Sequence, residues 1–442
     1  RRMLRVKWNF LLIAASVFVV TLVPSQIIAG TILPQYGDDV HLGVTSCAGS
    51  TCHGATSPWK GSTVLQNEYI TWDRYDPHSK AYNVLLNDVS KQMAKNLGIG
   101  KAHEAKICLD CHADNVAEKN RGRVFQISDG VGCEACHGGG ERWLGLHVSG
   151  VATHQDNINA GLYPTENPIK RAELCLSCHF GDDKKIVTHR IMGAGHPRLD
   201  FELDTFTATQ PAHYEIDKDY YERKVVSNGM QTWAIGQALA LEKRFEALLN
   251  MGETGGIFPE LVLFDCQACH HSLMTQKWQP RPGTGLGPGV VRFDDSNLLM
   301  LQIILESIDA GKGKALKEKT IELHKASTTN SNEFYMVAQS LRDEAKKLVS
   351  VFSNYKFGKN DVENLLRKLI KRTKQAEFFD YVGAEQAIMG ITSVLAAAEK
   401  MGLKKSTKQI QASLDTAYEA LESYDSWDYA KFKSAVGKIN FN

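Results

Sequence analysis

The sequence predicts a mainly α-helical protein with extensive loops, in which a cysteine-rich region is followed by a helical bundle. Three observations support this fold class. Long runs of β-branched residues with alternating polarity are missing, whereas several stretches place apolar residues at helical spacing. All ten cysteines lie between Cys47 and Cys269. The 442 residues are enough for two domains or one large one.

Residues 1–30 are predicted to be a signal peptide. Four basic residues within the first seven positions precede an apolar run from Phe10 to Val23, which Pro24 breaks. The small residues Ala29 and Gly30 then fit a cleavage site. The apolar run is shorter than the roughly 20 residues of a membrane-spanning helix. An uncleaved membrane anchor is the alternative interpretation, and both export the rest of the chain.

Residues 31–277 contain five short units in which a histidine directly follows the second of two cysteines. Four units have two residues between the cysteines, and the first has four. The units are Cys47, Cys52 and His53; Cys108, Cys111 and His112; Cys133, Cys136 and His137; Cys175, Cys178 and His179; and Cys266, Cys269 and His270. This pattern attaches a c-type haem, because two thiols add to the two vinyl groups of a porphyrin and the histidine binds the iron as proximal ligand.

Two other interpretations of the cysteine pairs are zinc ribbons and a disulfide framework. Neither requires a histidine after each second cysteine. With 15 histidines in 442 residues, a chance histidine there is expected at about one site in thirty. The sequence therefore predicts five haem c groups. Since thioether attachment takes place outside the cytoplasm, it also predicts a periplasmic or other extracytoplasmic location, with membrane anchoring only if the first segment is uncleaved.

Five of the ten remaining histidines are predicted to be distal iron ligands, because imidazole is the commonest metal-binding side chain. One lies in the first turn of a helix predicted to begin at Asp76 and to end at Gly98, one follows a tryptophan at helical spacing, and three lie in loops rich in glycine and proline. The five candidates are His78, His147, His189, His196 and His213. His103, His41 and His154 are weaker candidates, His271 is expected to form hydrogen bonds or to contact a neighbouring haem, and His324 is expected to be structural.

The carboxyl-terminal part contains no cysteine and a single histidine. Residues 278–292 are rich in proline and glycine and are predicted to be a linker. In residues 293–442, five segments have helical periodicity, and a long helix is also predicted before the fifth unit, over Val225–Gly252. The five segments are Asn297–Ala310, Glu333–Phe352, Asp361–Lys374, Phe379–Met401 and Thr407–Ser423. We expect an antiparallel helical bundle that folds without haem.

Four motifs in the first part resemble those of a known family. They are D-P-H-S-K-A-Y from Asp76, G-V-G-C-E-A-C-H-G from Gly130, W-L-G-L-H from Trp143 and G-A-G-H-P-R-L from Gly193. The region from Val44 to Trp278 resembles multihaem c-type cytochromes related to the tetrahaem electron carrier that serves hydroxylamine oxidoreductase in nitrifying bacteria. The resemblance implies close stacking of haems, mostly with two histidine ligands, and electron transfer. This chain differs by its fifth unit, its stretched first unit and its bundle.

The function predicted from the sequence is that of an exported pentahaem electron carrier without catalytic residues. Five distal candidates for five irons favour this hypothesis, since a six-coordinate iron has no position for a substrate. The expected partners are a redox partner protein or complex and neighbouring cytochrome subunits, whereas the formal charge of +1 argues against nucleic acid. The alternatives are an oxidoreductase acting on a small nitrogen or sulfur compound at one five-coordinate haem, and a structural conduit between subunits.

Overall fold

The computed structural model describes residues 32–182, 184–250, 260–270, 284, 286, 290–403 and 407–439. Within these residues helices and loops make up the fold, and pairing between extended segments is confined to isolated bridges. The predicted mainly α-helical class is therefore confirmed. The predicted signal peptide lies outside the described residues, as do His271 and most of the predicted linker. No described helix has both the length and the apolar character needed to cross a bilayer.

The amino-terminal part consists of short helices joined by long loops. In chain order they are α1 (Glu68–Tyr75), α2 (Ala81–Val84), α3 (Asp88–Leu97), α4 (Lys106–His112), α5 (Cys133–His137), α6 (Leu144–His147), α7 (His154–Asn159), α8 (Pro168–His179), α9 (His189–Gly193), α10 (Leu203–Thr209) and α11 (Lys218–Arg223). The single helix predicted from Asp76 to Gly98 is instead a 3-10 turn followed by α2 and α3.

Three of these helices end at the histidine of a cysteine unit: α4 at His112, α5 at His137 and α8 at His179. Local sequence explains where α8 begins. The side chain of Asn167 accepts hydrogen bonds from the amides of Ile169 and Lys170, and Pro168 occupies the first helical position, where no amide proton is needed. The fourth unit, Cys175 to His179, is thereby held on a regular helical turn.

The second part consists of longer helices. They are α12 (Gly229–Asn250), α13 (Ser296–Ile308), α14 (Ala310–Thr329), α15 (Ser331–Asn354), α16 (Lys359–Lys374), α17 (Tyr381–Lys400), α18 (Lys408–Glu419) and α19 (Tyr429–Gly437). Periodicity predicted all of them except α14 and α19. Helix α14 begins with glycines that have low helix propensity, but Asp309 caps it by accepting from the amides of Gly311 and Lys312.

Helix α12 lies at the centre of the molecule. It packs against α8 and α10 of the amino-terminal part and against α13, α15 and α17 of the carboxyl-terminal part. Trp233 and Phe245 on α12 are completely buried, and the ring of Phe245 stacks on Phe293 with centroids 5.1 Å apart. One hydrophobic core extends from Ala172 to Ile439. The core is thus continuous from one side of the predicted linker to the other.

Candidate haem-binding cavity

A large cavity runs through the amino-terminal part of the molecule. Its volume is about 2530 Å³, well above the roughly 300–1,000 Å³ of an ordinary ligand pocket. Cysteines and histidines of the first four units line it, together with all five predicted distal histidines. The short helices and loops of this part therefore enclose a space much larger than one small ligand needs.

The unit histidines and the predicted distal histidines face one another in pairs. Each histidine of a cysteine unit has one of the five predicted distal histidines as its partner, and no histidine is shared. The pairs and their ring-centroid separations are His53 with His147 at 6.0 Å, His112 with His196 at 6.4 Å, His137 with His213 at 6.2 Å, His179 with His78 at 6.1 Å, and His270 with His189 at 6.1 Å. The fold thus brings together all ten residues that the sequence singled out.

These separations match the space that one metal ion needs between two imidazoles. Metal-to-nitrogen distances of about 2.0–2.1 Å on each side, with the radii of two five-membered rings added, separate the centroids by roughly 6 Å. The interplanar angles vary from 21° to 89°, so the pairs do not share one stacking geometry. The donor set therefore fits haem iron, which two histidines would hold at each of the five positions.

Carboxylates orient one imidazole in each of two pairs. Nδ1 of His53 donates to Oε2 of Glu68 at 2.9 Å, and Nδ1 of His78 donates to Oδ1 of Asp76 at 2.8 Å. The hydrogen bond that His53 donates to Glu68 raises the pKa of His53. Burial alone would raise the pKa of Asp76, but hydrogen bonds, first from His78, lower it to about 2. With Nδ1 occupied, Nε2 is the nitrogen left to bind a metal.

Backbone carbonyls orient two more imidazoles. Nδ1 of His112 donates to the carbonyl of Ala81 at 3.0 Å, and Nδ1 of His196 donates to the carbonyl of Pro197 at 2.7 Å. These two histidines form one of the five pairs, so both of its rings are fixed by the protein. Pro197 directly follows His196 in the chain, whereas Ala81 lies 31 residues from His112, so sequence proximity does not reveal that partner.

Burial keeps several of the candidate ligands neutral. It lowers the pKa of His137 to about 3 and the pKa of His179 to about 4. Burial likewise lowers the pKa values of His147 and His213. Neutral imidazole is the form that binds a metal, so the interior already favours the state that ligation requires.

The cysteine units meet in two pairs. The thiols of Cys111 and Cys178 are in hydrogen-bond contact, which joins the second unit to the fourth, and those of Cys47 and Cys133 join the first unit to the third. The hydrogen bond from Cys111, and then the nearby Lys185, lowers the pKa of the Cys178 thiol to about 6 despite its burial. All ten cysteines are free thiols.

A buried glutamate holds the first unit against the third. The carboxylate of Glu134, which lies inside the third unit, accepts hydrogen bonds from the amides of Leu42, Gly43 and Gly140, each at 2.7 Å. Gly130, just before this unit, has a φ of 75°, and a side chain there would approach the carbonyl of His78 to 2.8 Å. The chain before the third unit passes so close to the backbone of His78 that position 130 requires glycine.

The fifth unit is attached to the bundle by charged residues. Asp265 precedes Cys266 and receives a hydrogen bond from the guanidinium of Arg292 at 3.1 Å. Arg292 also contacts Asp295 at 2.7 Å and Asp380 at 3.4 Å. Although burial opposes it, these carboxylates raise the pKa of Arg292 above its usual range. These contacts fix the start of the fifth unit to the amino-terminal ends of α13 and α17.

The other histidines in the described part of the chain have partners other than a unit histidine. His41 is buried and contacts Asp114 at 2.7 Å. His154 contacts Glu166 at 2.8 Å, and the ring of His103 meets Tyr82 with centroids 6.3 Å apart. His324 is completely buried in the bundle, where Nε2 contacts Asp295 at 2.9 Å. In the described part of the chain, no three His, Cys, Asp or Glu side chains form a cluster that could hold a metal ion.

Comparison with known proteins supports the motif-based resemblance. Residues 46–138 match the family model described as cytochrome c554 and c-prime. The chain resembles cytochrome c554. A curated relative, cytochrome c-554 of Nitrosomonas europaea, is 28% identical over 145 residues, which are 30% of this chain and 54% of the relative. The chain therefore spans about half the length of that relative. No solved structure matches this chain.

The match to cytochrome c554 covers the first three cysteine units completely, ending just after His137. It supports a c-type cytochrome with haem c as the cofactor, in agreement with the spacing of the cysteines. The units at Cys175 and Cys266, and the whole bundle, lie beyond residues 46–138, which the family model matches. Their interpretation rests on their sequence pattern and on the histidine pairs described above.

Proposed function

We propose that this chain is an exported pentahaem c-type cytochrome that transfers electrons through closely spaced haems, each with two histidine ligands. The observation that carries the proposal is the one-to-one pairing of five unit histidines with five others at 6.0–6.4 Å. An iron ligated on both faces exchanges electrons but has no position for a substrate. A catalytic haem would need a unit histidine without such a partner, and each of the five has one.

In this proposal the proximal ligands are His53, His112, His137, His179 and His270, and the distal ligands, in the same order, are His147, His196, His213, His78 and His189. Each haem is attached through the two cysteines of its unit. Haem iron supplies the one-electron chemistry. The chain binds and orients the haems, excludes water from them, and sets their reduction potentials through ligands, burial and nearby charge.

The thiol contacts support an order for the haems. The contact between Cys47 and Cys133 pairs the first haem with the third, and that between Cys111 and Cys178 pairs the second with the fourth. Cys136 interacts electrostatically with Cys175, which links the two pairs. A small cavity of about 80 Å³ is lined by both His179 and Cys266, so we place the fifth haem beside the fourth.

The chemistry of haem attachment also supports a location for the protein. Thioether attachment takes place outside the cytoplasm, and the first thirty residues have the pattern of a signal peptide. We propose a periplasmic protein that exchanges electrons with a redox partner protein or complex, with neighbouring cytochrome subunits as further candidates.

Mass spectrometry and spectroscopy of the purified protein test the proposal. The intact mass should exceed that of the processed peptide by five haems, and electron paramagnetic resonance of the oxidised form should show low-spin haem only. Carbon monoxide should bind slowly or not at all to the reduced form. A mass excess of four haems would contradict the pentahaem assignment and remove the stretched first unit, Cys47 to His53. A high-spin signal together with rapid turnover of nitrite or hydroxylamine would contradict the carrier and favour the alternative oxidoreductase.

A further inference from the structure

A buried lysine lies where the second and fourth cysteine units meet. The ammonium nitrogen of Lys185 is 2.7 Å from the backbone oxygen of Asp110, 2.7 Å from Oε1 of Gln35 and 3.1 Å from Sγ of Cys178. The residue is only 7% exposed. Because Cys178 also contacts Cys111, the lysine lies beside the attachment edges of two haem sites.

The contacts of Lys185 match the hydrogen-bonding capacity of an ammonium group. A protonated lysine has three N–H donors, and the three acceptors around Nζ use all of them. None of the three is charged once Cys178 is a thioether. The carboxylate of Asp110 contacts Lys106 and Asn115. The charge of Lys185 is therefore not neutralised by a hydrogen-bonded carboxylate among the described residues.

The turn that carries Lys185 holds it in one position. Backbone amides of Lys184 and Lys185 donate to Oδ1 of Asp182 at 2.8 and 3.1 Å, and the hydroxyl of Tyr36 donates to the other carboxylate oxygen at 2.7 Å. Gly181 has a φ of 126°, and a side chain there would lie 2.5 Å from the carbonyl of Lys185. The lysine is thus fixed from both sides, and its side chain extends into the interior.

Burying an unpaired cation costs free energy, since water no longer solvates it. In the proposed function, the haem attached through Cys178 lies beside this cation. Reduction of ferric to ferrous haem adds one electron and hence one negative charge, which a fixed cation in a poorly polarisable interior stabilises.

We propose that Lys185 sets the reduction potential of the haem attached through Cys178, raising it by stabilising the ferrous form. The effect extends more weakly to the haem attached through Cys111, whose thiol lies beside the same sulfur. This inference rests on the proposed function, because it assigns Lys185 a role in tuning two of the five proposed haems. It makes the junction of the second and fourth haems a preferred position for the transferred electron.

Adjacent lysines provide a matched pair of substitutions. Lys185→Met removes the buried charge, whereas Lys184→Met removes an exposed charge that lies 3.9 Å above the ring of Tyr36. Lys185→Arg keeps the charge. Each variant of the full-length holoprotein would be titrated spectroelectrochemically, after its haem content is counted by intact mass and its spin state is measured.

In Lys185→Met, we expect the midpoint of one haem to fall by the equivalent of a tenfold change in its reduction equilibrium, about 59 mV for one electron. A second haem should shift less in the same direction. Lys184→Met should leave all midpoints unchanged, because water screens its charge. Lys185→Arg should keep the potential close to that of the unmodified protein.

Unchanged midpoints in a Lys185→Met protein with five low-spin haems would overturn this inference and leave the proposed function intact. Too few haems or high-spin iron in the unmodified protein would instead defeat the proposed function. If Lys185→Met does not accumulate, Lys185→Gln keeps side-chain donors without the charge. Midpoints in that variant equal to those of the unmodified protein would equally overturn the inference.

Discussion

Hydrogen bonds at Nδ1 determine which nitrogen of several candidate ligands is available for iron. Glu68, Asp76 and two backbone carbonyls accept these bonds. An imidazole fixed at Nδ1 presents Nε2 in one direction, so little conformational freedom is lost when a metal binds. The histidine pairs are thus prepared by neighbouring residues, which is how the protein can control both the geometry and the basicity of each ligand.

Replacing a distal candidate should expose one iron. In His147→Ala, the partner of His53 is lost, so we expect one haem in five to become high-spin and to bind carbon monoxide in the reduced form. Electron paramagnetic resonance and carbon monoxide difference spectra measure both effects. His103→Ala is the control, because His103 faces Tyr82 and not a unit histidine. A fully low-spin His147→Ala protein would count against the assigned pair.

At the scale of single elements, helix ends fix the position of the chemically important residues. Helices α4, α5 and α8 each end at a unit histidine, and α10 begins beside a fully buried carboxylate, Glu202. Glu202 accepts from the amides of Asp204 and Thr205 at 2.8 Å. Burial, and then the charge of Asp204, raises the pKa of Glu202 to about 7.

This raised pKa predicts a loss of stability as the pH increases. Glu202 binds a proton in the folded state up to about pH 7, but in the unfolded state only up to about pH 4.5. The folded state therefore binds more protons between these values, and stability falls as the pH rises through that window. At about 1.4 kcal/mol per pH unit, the loss is on the order of 3 kcal/mol. This loss of stability should be complete by about pH 8, where Glu202 is ionised in both states.

Thermal unfolding at pH 5 and pH 8 measures this effect. Glu202→Gln should reduce the difference between the two pH values, since the amide oxygen still accepts a hydrogen bond but no longer ionises. Glu322→Gln, at an exposed position of α14, should keep the pH dependence of the unmodified protein. An undiminished pH dependence in Glu202→Gln would show that another group is responsible.

At the scale of the whole molecule, the haem-binding part and the bundle share one core. Helix α12 contacts helices of both parts, and Trp233 packs so closely on α17 that a side chain at Gly390 would approach its ring to 2.8 Å. The sequence predicts that residues 293–442 fold independently. The shared core argues against this, because removing α12 exposes the apolar residues that it covers.

Two fragments test the contribution of α12. We expect residues 293–442 alone to be helical but to melt without a cooperative transition, whereas residues 225–442 should melt cooperatively. Each large buried side chain contributes roughly 1.5–3 kcal/mol, and α12 buries several, against a typical total stability of about 5–15 kcal/mol. Circular dichroism in the near ultraviolet distinguishes the two states. A cooperative melt of the shorter fragment would restore the independent-bundle prediction.

The sequence by itself identified the residues that would act together within one cysteine unit. A cysteine unit spans only five to seven residues, so spacing alone identifies candidate thioether cysteines and the histidine beside them. Helical periodicity likewise predicted most of the long helices, because it reflects a buried face within one element. Local context also selected the five histidines that face the units, although it did not reveal which of them faces which unit.

Only the tertiary structure decided those pairings. His78 follows the first unit in the chain but faces His179 of the fourth, while the first unit faces His147. Lys185 and the shared core around α12 were equally invisible in the sequence. The physical reason is that each depends on contacts between distant segments. No periodicity or spacing encodes such contacts, which form only when the whole chain packs around its cavity and its core.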